Sequence, residues 1–215
     1  MKERRKRILL YVLGGILLGF IVLTILVSFF PVSVIDREFS EEVQEHQYPF
    51  LDSLMKFVSW PGYTPQSVVI ASVTAIIFFL FRRRKESLFI LLTMISGVIS
   101  SSLKILIDRP RPTDDLVRII EIAKHQSFPS GHVLFYVSFF GFLIILMNHL
   151  KDINRPFRIA VIAVCAFMIF TIPVSRIYLG AHWFTDVLGS AMLGILFLFG
   201  LSYLYMKNHN HTEHS

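Results

Sequence analysis

The run from Ile8 to Phe30, ILLYVLGGILLGFIVLTILVSFF, contains no charged side chain. About 20 apolar residues are enough to cross the hydrocarbon core of a bilayer as a helix. Lys2, Arg4, Arg5, Lys6 and Arg7 stand immediately before it. That order is shared with signal peptides, but this apolar part is too long, and Phe29-Phe30-Pro31 follows where a small-x-small cleavage site would stand. The run is therefore expected to persist as a first membrane helix.

Apolar runs of the same kind recur along the chain. Six spans are drawn, at roughly 8–30, 66–81, 87–107, 132–150, 159–175 and 184–206. Of the 215 residues, 54% are hydrophobic and 17% charged, and the mean hydropathy is +0.62. The expected fold is all-α: a polytopic membrane protein, a six-transmembrane-helix bundle forming one domain over residues 1–215. The net charge of +6 does not point to nucleic acid, because the basic residues lie in short blocks beside apolar runs. Cys165 is the single cysteine, so no intrachain disulfide is possible; inside an apolar run it reads as a small buried filler. Gly15 and Gly19 form a Gly-x-x-x-Gly step that permits close helix approach. His209, His211 and His214 read as a solvated tail.

Arg82-Arg83-Arg84-Lys85 separates spans two and three, and Lys151, Arg155 and Arg158 lie between spans four and five. With the basic N-terminus, these blocks fall on one side. Short Lys/Arg-rich loops stay cytoplasmic. Both termini are thus expected inside a plasma membrane, and loops 31–65, 108–131 and 176–183 outside. The first outer loop is acidic, with Asp36, Glu38, Glu41, Glu42, Glu45 and Asp52. Residues 37–58 mix apolar and polar positions, as an extracytoplasmic amphipathic helix would, with a break or kink at Pro49. Trp60-Pro61-Gly62-Tyr63 reads as a turn at the membrane interface.

The second outer loop carries Arg109, Arg111, Arg118 and Lys124, Lys104 ends the preceding span, and Arg176 begins the third outer loop. Cations there oppose the topology bias, and an ionisable group near a helix end needs a partner. An anionic ligand is one. Arg111 can bind two oxygens of a phosphate, and Pro110 and Pro112 stiffen its loop. In Phe128-Pro129-Ser130-Gly131-His132, Gly131 permits close backbone approach, Ser130 can cap a helix or donate to phosphate, and His132 stands at a helix start with a proton to give. His182 and Asp186 are four apart, one helical face, so the carboxylate can fix the imidazole tautomer and free the other nitrogen to attack. Nucleophile, orienter, acid and cations are the parts phosphoryl transfer needs without a metal. Taken singly, each has a plainer reading: a structural His–Asp pair, a helix cap, a turn glycine, cations snorkelling to headgroups.

Lys104-x6-Arg111-Pro112, Pro129-Ser130-Gly131-His132 and Ser175-Arg176-x5-His182-x3-Asp186 resemble the three-part signature of the type 2 phosphatidic acid phosphatase family at every signature position. The resemblance implies a six-helix bundle and a two-step reaction with no cofactor and no metal. It implies that His182 attacks phosphorus to form a phosphohistidine, oriented by Asp186, while His132 protonates the leaving oxygen. Lys104, Arg111, Ser130, Gly131 and Arg176 are implied to hold the phosphate oxygens. The expected partners are membrane lipids and a lipid phosphate or diphosphate substrate, with undecaprenyl diphosphate, phosphatidylglycerophosphate and phosphatidic acid as candidates and a lean toward the polyprenyl carrier. Two alternatives stay open: a phosphotransferase that uses the same intermediate, and a lipid-phosphate binding or transport protein without turnover. Asp108, Arg109, Asp114, Asp115, Arg118, Glu121, Lys124 and His125 lie outside the signature and are expected in a solvated loop or at the pocket mouth, shaping headgroup choice; Arg111 alone would read as a loop cation paired with Asp114 or Asp115. Tyr178, Trp183 and Phe184 are expected as interface anchors or packing.

Overall fold

The computed structural model describes residues 2–207, so the histidine tail lies outside the described residues. Those residues form helices and loops with no strand. The helices are α1 Lys2–Phe29, α2 Val34–Val43, α3 Pro49–Ser59, α4 Thr64–Leu80, α5 Arg84–Leu92, α6 Ile95–Ile107, α7 Gly131–His149, α8 Arg155–Tyr178 and α9 Phe184–Lys207. Among the described residues, five spans are long and apolar enough to cross a membrane, counting α5 and α6 together as Arg84–Ile107; a bent pair, Pro49–Gly62 with Thr64–Leu80, makes up to six. The protein is a multi-pass membrane protein.

The 37–58 stretch is broken before Pro49 into two helices, α2 and α3. Pro49 opens α3 at its first turn, where a missing N–H leaves no carbonyl unanswered. Ser33 caps α2 in a reciprocal box, accepting from the Asp36 backbone N–H at 3.1 Å while its own N–H and hydroxyl reach the Asp36 carboxylate. After α3 the Trp60–Gly62 turn swings the chain by 59° into α4. The expected single helix over 87–107 is also interrupted: the Thr93 hydroxyl turns back onto the Ile90 carbonyl at 2.6 Å, and α6 begins two residues later.

α7 is the axis. It is apolar all round, as a helix enclosed by others must be, and Leu134, Tyr136, Phe142 and Leu146 have no exposed surface. α8 and α9 pack against it. α1 lies at the periphery on α9, with Gly19 facing Met192 and Gly15 facing open space. Gly19 thus serves contact within the chain.

The two ends of the bundle differ. At one, Arg83 pairs with Asp152 and the Tyr205 hydroxyl donates to Glu86 at 3.0 Å. Loops 81–84 and 150–154 and the end of α9 therefore meet there. At the other, the Arg109 side chain reaches the Pro31 carbonyl just beyond α1, and Gln44 donates to the carbonyls of Arg118 and Tyr178, each at 2.8 Å. The basic N-terminus, at the far end of a helix about 42 Å long, joins the first group. All three basic blocks thus sit opposite the end that gathers the signature residues.

α7 and α9 approach through Gly194, where a Cβ would stand 2.8 Å from Val137. Gly194→Leu is expected to part the two helices at about 1–3 kcal/mol. A lowered thermal midpoint of the detergent-solubilised protein, beyond that of Gly97→Leu at an open helix position, is the measurement.

Candidate active site

A cavity of about 830 Å³ opens at this end. Lys104, Arg111, Gly131, His132, Arg176 and His182 all line it. Ser130 and Asp186 lie just behind, with no exposed surface. The three sequence segments, carried by the ends of α6, α7, α8 and α9, therefore converge on one space.

His182 sits in the tight loop between α8 and α9. Gly180 makes that loop possible: its φ is +67°, and a Cβ there would fall 2.4 Å from the Arg118 carbonyl oxygen. His182 Nδ1 lies 3.4 Å from Asp186 Oδ2, and Nε2 lies 3.3 Å from Arg111 Nη1. A guanidinium only donates, so Nε2 accepts, which places the imidazole proton on Nδ1 toward the carboxylate. Nε2 is then the atom with a lone pair. Burial, followed by the charges of Arg111, Lys104 and Arg176, holds the His182 pKa well below its ordinary value. The ring is neutral near pH 7.

His132 is at the second position of α7, its ring edge-on to Tyr63 with centroids 5.0 Å apart. Its Nε2 is buried and has no hydrogen-bond partner among the described residues; the same holds for Ser130 Oγ, Ser100 Oγ and Arg176 Nε. Ser130 occupies the N-cap position of α7 without capping it by its side chain. Its hydroxyl is left for another acceptor or donor. A helix start with unspent N–H groups stands beside it.

The cations are held rigidly. Lys104 donates to the carbonyls of Gln126 at 2.6 Å and Ser127 at 3.1 Å. Arg111 bonds to the carbonyls of Lys124, His125, Gln126 and Ala181, not to Asp114 or Asp115. Burial, then the neighbouring Arg176, pushes the Arg111 pKa down to about 10, so it keeps its charge at neutral pH. Arg176 is clasped by Glu121 at 2.9 and 3.1 Å and by Ser59 at 3.0 Å. Burial raises the Glu121 carboxyl, but Arg176 and the Tyr63 hydroxyl outweigh it and leave the pKa below the ordinary value. Among the described residues, no three His, Cys, Asp or Glu side chains are grouped to hold a metal ion.

Several residues at the site went unseen in the sequence. Arg109, expected at the mouth, is fully buried and bonded to Asp36, Thr185 and Asp186. Glu121 lies on Arg176 rather than in solvent. Trp60–Tyr63 is no mere interface turn: a Cβ on Gly62 would meet His132 Cδ2 at 2.3 Å. Trp183 and Tyr178 are buried and packed, while Lys124 and His125 do line the cavity. For the two arginines, only a matched acidic residue could have hinted at these contacts, and loops 31–65 and 108–131 offer several each.

The sequence model of the PAP2 superfamily matches residues 85–210. The chain belongs to that superfamily. Phosphatidylglycerophosphatase B of Bacillus subtilis (strain 168) is 25% identical to this PAP2 protein over 187 residues, 86% of this chain and 90% of that one. Lipid phosphate phosphatase 1 of Arabidopsis thaliana is 26% identical over 180 residues, covering 70% of this chain and 54% of that protein. Among solved structures, a transmembrane PAP2-type phosphatidylglycerolphosphate phosphatase from Bacillus subtilis superposes with a TM-score of 0.77, covering 92% of this chain and 97% of that one at 24% identity. LpxE of Aquifex aeolicus gives 0.60, covering 81% and 96%, also at 24% identity. The two structures share the fold. The chain is a phosphatase of the PAP2 superfamily.

Gly62→Ala is expected to displace His132 and, on the acid role the family resemblance implies for it, to reduce phosphate release about tenfold or more. The thermal midpoint should move far less than the rate. Equal losses of both would show that the turn serves stability alone.

Proposed function

We propose that this PAP2 protein is a metal-independent lipid phosphate phosphatase working through a phosphohistidine on His182, with phosphatidylglycerophosphate as the leading substrate and undecaprenyl diphosphate as the second candidate. One observation carries the reading: both imidazoles and three cations face a single cavity, with the buried Ser130 Oγ, His132 Nε2 and Arg176 Nε lacking partners among the described residues. Unpartnered polar atoms of this kind are what an anionic ligand would satisfy. The order of the two lipids follows the name of the Bacillus relative, which aligns along 86% of this chain.

The chemistry follows from the geometry. Nε2 of neutral His182 attacks phosphorus, and Asp186 stabilises the imidazolium that forms. Arg111 transfers its N–H from Nε2 to a phosphate oxygen, joined by Lys104, Arg176, Ser130 and the backbone at Gly131. The bond from phosphorus to the leaving oxygen breaks, and His132 gives that oxygen its proton. The incoming phosphate's charge favours the protonated form of His132. Water then attacks the phosphohistidine, His132 takes a proton from it, and the P–N bond breaks to release inorganic phosphate. Val68, Met94, Gly97 and Val98 line another part of the cavity, between α4 and α6. They supply an apolar wall for a lipid chain.

The orientation proposed is both termini in the cytoplasm and the cavity outside, within one membrane domain of six spans that takes α3 and α4 together as the second. The positions of the basic blocks support it.

His182→Ala is expected to abolish phosphate release from detergent-dispersed phosphatidylglycerophosphate and undecaprenyl diphosphate, with chelator present, while lipid binding survives. Release from neither lipid by the wild-type protein overturns the substrate assignment. Release sustained by His182→Ala overturns the nucleophile.

The pH profile supplies an independent check. The nucleophile must be neutral, and its folded-state pKa lies below the ordinary 6.5. The acid limb of kcat/KM is therefore expected below pH 6.5, with the profile bell-shaped. A limb above that value contradicts the assignment.

A further inference from the structure

Asp186 is not an isolated partner of His182. Its Oδ2 accepts from the Ser127 hydroxyl, from the Trp183 backbone N–H at 2.9 Å and from His182. Its Oδ1 accepts from Arg109 Nη1 at 2.5 Å. Arg109 Nη2 in turn donates to Asp36 Oδ2 at 2.7 Å, and Arg109 Nε donates to the Pro31 carbonyl at 2.8 Å. Asp36 Oδ1 accepts from both the backbone N–H and the hydroxyl of Thr185, at 2.9 and 2.8 Å. The side chains of Asp36, Arg109 and Asp186 have no exposed surface.

A carboxylate bound to a guanidinium loses much of its pull on a neighbouring imidazolium, because the pair is nearly neutral. A second carboxylate on the same guanidinium restores a net negative charge to the group. We propose that Asp36 is a positioning residue for the nucleophile: through Arg109 it fixes the rotamer of Asp186 and maintains the negative charge that His182 faces. The proposal rests on the reading of His182 as nucleophile. No signature position includes Asp36, which reaches the site from α2.

The other charges facing His182 are all cationic or neutral: Lys104 on α6, Arg111 in the following loop, Arg176 on α8 and His132 on α7. Glu121 is committed to Arg176. The Asp36–Arg109–Asp186 group is thus the negative counterweight in contact with the ring. Without Asp36 the developing imidazolium meets two nearly neutral pairs, Asp186 with Arg109 and Glu121 with Arg176, beside Lys104 and Arg111.

The experiment uses the full chain in detergent micelles with dioleoyl phosphatidylglycerophosphate and dioleoyl phosphatidic acid, recording kcat, KM and the pH profile. Asp36→Asn is expected to lower kcat about tenfold with KM within about twofold. Its acid limb should move down by about one unit, because loss of a buried negative charge disfavours the imidazolium. Asp36→Glu keeps the charge but shifts it, so its acid limb should stay at the wild-type position while kcat falls. An Asp36→Asn protein with wild-type kcat and limb, beside an inactive His182→Ala, overturns this proposal and leaves the phosphohistidine reading intact. An active His182→Ala defeats both. Activity lost only in proportion to folded protein, with the limb unmoved, reduces Asp36 to a cap of α2 and overturns the proposal. If Asp36→Asn does not fold, Thr185→Val carries the test. It removes one hydroxyl bond to Asp36 and one to Arg109, and should lower kcat about threefold at unchanged KM; an unchanged kcat overturns the proposal.

Discussion

Three basic side chains held together in one partly buried cavity repel one another, and the structure depends on how that repulsion is met. Most of the answer is backbone. Carbonyls of residues 124–127 and of Ala181 accept from Lys104 and Arg111, which draws the long loop after α6 across the mouth of the bundle. Arg176 is met instead by the one carboxylate of Glu121, itself steadied by the Tyr63 hydroxyl at 2.6 Å. Carbonyl dipoles offset charge without forming salt bridges. The Arg111 guanidinium, met by carbonyls rather than by a carboxylate, therefore keeps its charge, and all three side chains lose their freedom to wander, which is the preorganisation that phosphoryl transfer rewards.

Much of this was legible in the chain. Apolar runs marked α1 and α7 to α9 closely, because a helix in lipid must satisfy its own backbone and can expose only apolar side chains. Two features escaped. At the α5–α6 break the backbone tightens into bonds three residues apart, from Thr93 to Ile90, Met94 to Leu91 and Ser96 to Thr93, a local change invisible to hydropathy. The span at α4 is tied to α3 by a bend at Trp60–Gly62, and whether that pair forms one crossing depends on a turn angle rather than on composition.

The site divides in the same manner. Residues whose spacing is local, such as His182 with Asp186, or Ser130 with His132, could be read directly. Those that support them from a distance could not. Arg109 looked like a loop cation, and only its contact with Asp36, 73 residues away, puts it in the interior. Gly62 carried no chemical signal at all; its meaning lies in the His132 ring pressed against its Cα.

Residues 85–210, the portion that matches the superfamily, contain every signature side chain. Yet Asp36, Ser59, Gly62 and Tyr63, which brace Arg109, Arg176 and His132, all precede it. A transplant of the matching portion onto another scaffold would carry the signature side chains and leave behind their supports, with Arg109 facing one carboxylate in place of two. The smallest working unit of this protein is thus larger than its recognisable core, and chimaeras with other superfamily members should be joined upstream of α2 rather than at the start of α5.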